Sequence, residues 1–98
     1  MTITKRQNES SLEILLSGRL DTLAAPELDE ELARSLDGVK DLTLDMSAVE
    51  YISSAGLRVL LSAQKRMNRQ GSMTVTNVGE NIMEIFDVTG FSDILNIQ

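Results

Sequence analysis

Two adjacent serines, Ser53 and Ser54, precede Ala55 and Gly56 where an apolar segment gives way to a strongly amphipathic one. A serine at such a boundary accepts bonds from the free N–H groups that open a helix, and so caps it. One cap needs one serine, which leaves a second hydroxyl available at a helix start. Gly56 puts bare backbone into the first helical turn, at a cost of about 1 kcal/mol relative to alanine. Close approach of a partner or phosphate accounts for that cost, and so does simple close packing. Asp21 and Asp45 are the other candidates. They could meet at one end of a sheet as the paired carboxylates of a general acid–base site. Alternatively each binds local backbone. Asp45 as a receiver-type phosphoacceptor would need an acidic pair after the first strand to hold a cation, and a later lysine. The first strand ends without acids, and no lysine follows Lys65. The chain has no histidine and no cysteine, so serine–histidine triads, thiolate catalysis, disulfides and zinc–thiolate sites are excluded. No GxxxxGK[ST] loop is present to cradle a nucleotide. These exclusions favour a binding protein over an enzyme.

The elements that must position these residues read as follows. Asn8-Glu9-Ser10 is a turn signal between strands at 2–7 and 11–17, with Leu12, Ile14 and Leu16 on one face and Gly18 as terminator. Pro26 suits a first helical turn, and Leu28, Leu32 and Leu36 form an apolar stripe closed by Gly38. Glu27, Asp29, Glu30 and Glu31 read as a solvated acidic face near the positive helix end. Leu42, Leu44 and Met46 alternate in a third strand, followed by a loop at Ser47–Glu50. A second helix runs from about Ser54 to Gln70, with Leu57, Leu60, Leu61 and Met67 inward, Arg58, Lys65, Arg66 and Arg69 outward, and Gly71 as its end. Met73 and Val75 mark a fourth strand, and Ile82, Ile85 and Phe86 a third helix ending at Gly90. The form of Phe91–Ile97 is not fixed by its pattern. Strands joined through helices imply parallel pairing in a layered α/β domain.

Composition narrows the class. Aromatics are 3% of the chain, so leucine, isoleucine, valine and methionine must fill the core. A net charge of -6 argues against nucleic acid as the main partner and for attraction to a basic protein surface. No apolar run has the length of a signal peptide or a membrane span. One domain over residues 1–98, in the cytoplasm and without membrane insertion, is the expectation.

The stretch from Leu44 to Leu61, Leu-Asp-Met-Ser-Ala-Val-Glu-Tyr-Ile-Ser-Ser-Ala-Gly-Leu-Arg-Val-Leu-Leu, resembles the central motif of STAS domains, and more narrowly of bacterial anti-sigma factor antagonists. Gly18-Arg19-Leu20-Asp21-Thr22 with Ala25-Pro26-Glu27-Leu28 is similar to that family's first-helix motif. Ile85-Phe86-Asp87-Val88-Thr89-Gly90-Phe91 resembles its closing helix. The resemblance spans nearly the whole chain and implies a mixed four-stranded sheet with three to four helices. It implies a partner switch in which the unphosphorylated protein binds an anti-sigma factor that is a serine kinase, and so frees a sigma factor. The kinase then phosphorylates the serine falling on Ser54, the complex parts, and a serine phosphatase restores the binding form. ATP and magnesium belong to the kinase, and the chain itself needs no cofactor. The docking surface implied is Asp21, Thr22, Ser53, Ser54, Gly56, Leu57 and Arg58. Many members carry aspartate before the modified serine, where this chain has Ser53. STAS domains also serve as cytoplasmic docking modules of transport complexes, without phosphorylation. The two roles divide on whether Ser54 matters.

Overall fold

A computed structural model describes all residues, Met1–Gln98. β1 (Thr2–Asn8) and β2 (Ser11–Leu20) pair antiparallel across the turn at Glu9 and Ser10. β2 connects through α1 (Ala25–Ser35) to β3 (Asp41–Ile52), which runs parallel to it. β3 connects through α2 (Ser54–Gln70) to β4 (Ser72–Thr76), again parallel. After α3 (Glu80–Thr89) and a short 3₁₀ turn at Phe91–Asp93, the chain returns and Ile97 bridges to Val75. The sheet order is β1-β2-β3-β4. Successive crossovers step to the next strand in one direction. Right-handed connections then place every helix on the same face.

That face holds the core. Leu12, Ile14 and Leu16 of β2, Leu42, Leu44 and Met46 of β3, and Met73 and Val75 of β4 are buried beneath Leu28, Leu60, Met67, Ile82 and Phe86 of the helices. The opposite face carries Glu13, Leu15, Thr43, Asp45, Thr74 and Thr76, half-buried and mostly polar. An antiparallel hairpin joined to parallel crossovers gives the mixed four-stranded α/β sheet, with three α-helices.

Several boundaries differ from the sequence expectation. β3 does not end at Met46, because Ser47–Glu50 is strand. Its buried positions run Leu42, Leu44, Met46, Val49 and Ile52, so the spacing changes from two to three. The pairing explains this: Leu15 faces Asp45, Ser17 faces Ala48 and Arg19 faces Tyr51, so β3 gains one residue on β2 at each of two bulges. Each bulge shifts the pleat by one residue and breaks strict alternation. β2 likewise continues past Gly18 to Leu20. Gly38 is not the cap of α1. Leu36 holds that position in right-handed geometry, its N–H bonded to Leu32 O, and Gly38 turns the chain afterwards at φ +78°. Leu61 is only half-buried, and Arg66 is half-buried rather than free, its guanidinium 2.7 Å from Asp37. Glu31 leaves the solvated acidic face to pair with Lys5 of β1 at 2.9 Å, while Glu27, Asp29 and Glu30 stay exposed.

Candidate functional site

The parallel strands β2 and β3 end together, and the site is built on that end. Leu20 pairs with Ile52 in register, and Ser53 N–H then donates to Leu20 O at 2.9 Å, tying the two strand ends before α2 begins. Ser53 is extended, at φ -94° and ψ 172°. Its Oγ accepts from Gly56 N–H at 3.2 Å, and its carbonyl accepts from Leu57 N–H at 2.9 Å. Ser53 is therefore the N-cap of α2, satisfying one of the amides that has no partner within the helix. Ser54 is the first helical residue. It is exposed, and none of the chain's side-chain hydrogen bonds uses its hydroxyl.

Packing accounts for Gly56. A Cβ there would lie 2.7 Å from Leu20 Cγ, 2.8 Å from Leu20 O and 3.0 Å from Ile52 Cγ1. The bare turn lets α2 sit directly on the strand ends. Leu57 is also buried, so Gly56 and Leu57 support the surface from beneath rather than forming it.

Asp21 follows Leu20 and folds the β2–α1 connection. Its Oδ1 accepts from Leu23 N–H at 3.2 Å and Ala24 N–H at 2.9 Å, and its carbonyl accepts from Ala25 N–H at 2.9 Å. The formal N-cap of α1, Ala24, contributes no side-chain bond. Asp21 thus closes the turn in its place, and that turn displays Leu23, 89% exposed, to solvent. Thr22, Pro26 and Asp29 form one wall of a groove between α1 and α2, with Ala55, Arg58 and Ser62 on the other. Asp21, Thr22, Ser53, Ser54 and Arg58, which the family resemblance gives together as a docking surface, all follow the joined ends of β2 and β3.

Asp45 is elsewhere. It pairs with Leu15 and Thr76, seven residues along β3 from Ile52, which is about 23 Å at strand rise. Its carboxylate accepts from Ser47 N–H at 2.9 Å and Asn77 Nδ2 at 3.1 Å, and the Ser47 bonds above all hold its pKa below the usual carboxylate range. Asp21 and Asp45 therefore do not form a carboxylate pair, and both bind backbone. Periodicity missed two features beside the site. One is Leu23. The other is Tyr51, partly exposed, with the Arg19 guanidinium 4.3 Å from its ring centre. The lone tyrosine of the chain was the available signal; its pairing with Arg19 depends on the second bulge.

Comparison with known proteins agrees with this architecture. The STAS domain profile matches residues 2–98. The anti-sigma-B factor antagonist of Bacillus subtilis (strain 168) is 32% identical over 99 aligned positions, covering 100% of this chain and 91% of that protein. The anti-sigma factor antagonist SpoIIAA in its unphosphorylated form superposes with a TM-score of 0.77 at 13% identity, covering 99% of this chain and 87% of that one. The phosphorylated form of SpoIIAA, a Bacillus cell fate determinant, also superposes at 0.77, with 14% identity over 99% of this chain and 91% of that one. No helix of the chain is long and apolar enough to cross a membrane. With the fold, the strand-end site and a relative alignable end to end, the chain belongs to the STAS domain family, among relatives named for antagonism of anti-sigma factors.

Proposed function

We propose that this chain is an anti-sigma factor antagonist switched by phosphorylation of Ser54. The unmodified form docks on an anti-sigma factor that is also a serine kinase, and so releases a sigma factor. The kinase transfers the γ-phosphoryl group of ATP to Ser54 Oγ. The new O–P bond replaces the bond to the ADP leaving group, and the hydroxyl proton is lost. A serine phosphatase hydrolyses the ester and restores the docking form. Nucleotide and magnesium are the kinase's, not this chain's.

The observation carrying this reading is the division of labour between the serines. Ser53 spends its oxygen on the cap, while Ser54 stands exposed with its hydroxyl unengaged. A phosphate on Ser54 lies at the positive end of α2, where free amides and the helix dipole favour negative charge, so modification does not oppose the fold. Its effect falls on whatever packs there. An uncharged hydroxyl becomes a group of about -1.5 to -2 charge, which is costly to bury without a partner. The test captures the kinase from the native cell with Ser54→Ala protein, then incubates it with natural protein and ATP. Intact-mass and peptide spectrometry are expected to place one phosphate on Ser54. Modification of Ser53 alone overturns the assignment to Ser54, and no modification overturns the phosphoswitch and leaves a constitutive docking module.

A further inference from the structure

We infer that Arg58 is the internal counter-ion of a phosphate on Ser54, an inference that rests on the phosphoswitch proposed above. Four of the nine cationic side chains are spent in ion pairs: Lys5, Arg6, Arg34 and Arg66. Arg19 is stacked on Tyr51. Lys40, Arg58, Lys65 and Arg69 remain. Arg69 lies in the last turn of α2, and Lys40 precedes β3 at the opposite end of the sheet from Ile52. Lys65 is eleven residues along α2 from Ser54, an axial distance of about 16 Å. Arg58 is four residues along, about 6 Å, and exposed.

Direction favours the same residue. Positions i and i+4 share a helix face, and helical side chains lean toward the N-terminus, so Arg58 projects over the turn that carries Ser54. It also lines the groove with Thr22, Asp29 and Ala55, the residue that follows Ser54 in the chain. An acidic group N-terminal to a basic one at this spacing is the favourable order. Phosphate oxygens suit the planar guanidinium fork. Without phosphate, Arg58 carries the positive charge of a groove whose other wall carries Asp29. With phosphate, the Ser54–Arg58 pair carries about -0.5 to -1. One modification would thus make the groove more negative and occupy the cation that a docking partner meets.

The test does not need the kinase. Phosphoserine is installed at position 54 by semisynthesis in the natural chain and in Arg58→Gln, Arg58→Lys and Arg69→Gln forms. The second phosphate ionisation is followed by phosphorus NMR against pH. The second ionisation of a free phosphoserine lies at about pH 6. An adjacent cation favours the dianion, so the natural protein is expected to titrate lower than Arg58→Gln by about 0.3–1 unit. Arg58→Lys is expected between them, and Arg69→Gln with the natural protein. Superimposable curves for natural protein and Arg58→Gln overturn the inference, as does an equal shift in Arg69→Gln. Failure of kinase transfer to Ser54 counts against the proposed function alone, because the phosphate here is placed synthetically.

Discussion

At the scale of single residues, the site depends on which groups are already engaged. Ser53 and Ser54 are chemically identical, yet one oxygen is bonded to an amide and the other faces water. Asp21 resembles Ser53 in this respect, since its acceptor oxygen is spent on two amides of its own turn. The carboxamide of asparagine keeps such an oxygen. Asp21→Asn is therefore expected to melt close to the natural protein, while Asp21→Ala loses about 1 kcal/mol, the usual value of a lost cap. Thermal melts separate them, and equal losses would show that charge, rather than the acceptor, closes the turn. Gly56→Ala tests the seat of α2. The added methyl meets the Leu20 carbonyl, which cannot turn aside as a side-chain end can. Overpacking costs about 1–3 kcal/mol, against at most about 1 kcal/mol gained in helix propensity, so a net loss in denaturant midpoint is expected. An unchanged or raised midpoint would mean that α2 lifts off the strand ends freely. The serines were legible in the sequence because caps have a local signature. Leu23 was not, because its exposure follows from a turn that only Asp21's contacts define.

At the scale of elements, what the sequence revealed followed periodicity, and what it hid followed its breaks. Both main helices and the parallel strands could be read from helical stripes and alternation, and β1 from the turn signal at Asn8-Glu9-Ser10. The second half of β3 could not, because two bulges change its period there. Those same bulges carry Tyr51, Ile52 and Ser53 to the end of the sheet in the phase that aims α2 across Leu20. An ion pair distant in sequence was equally hidden. Glu31 of α1 accepts from Lys5 Nζ and from Ser35 Oγ, each at 2.9 Å, and these bonds hold its pKa down to about 2 from an ordinary 4.5. A carboxylate whose pKa is lower in the folded state stabilises above its unfolded value and loses that contribution as pH falls through the folded value. Glu31→Gln is therefore expected to be less stable than the natural protein at neutral pH. The difference should shrink between about pH 4.5 and about 2. Urea midpoints of both forms across that range check it, and a gap that stays constant with pH would show that packing, not charge, joins α1 to β1.

At the scale of the whole molecule, an acidic domain of net charge -6 places the exposed Ser54 hydroxyl at the one end of α2 that welcomes more negative charge. On the proposed phosphoswitch, fold and interface are expected to respond to a charge on Ser54 in opposite directions. Near the helix start, a negative side chain is worth about 0.3–1 kcal/mol in favour of the helix. Ser54→Asp is expected to fold at least as well as the natural protein, and Ser53 remains in place as the cap. Its affinity for the anti-sigma partner is expected to fall by about 2–5 kcal/mol, the cost of a charge buried unpaired in an interface. Ser54→Ala removes only a hydroxyl that has no bond to lose, so it is expected to bind like the natural protein and resist the kinase. Titration calorimetry of the three forms against the partner, with melting curves beside it, separates the two effects. Equal affinities would remove the phosphoswitch and leave a constitutive docking domain. A Ser54→Asp protein that loses affinity only in proportion to unfolding would place the switch in the fold, against the free hydroxyl and the favourable dipole that the start of α2 provides.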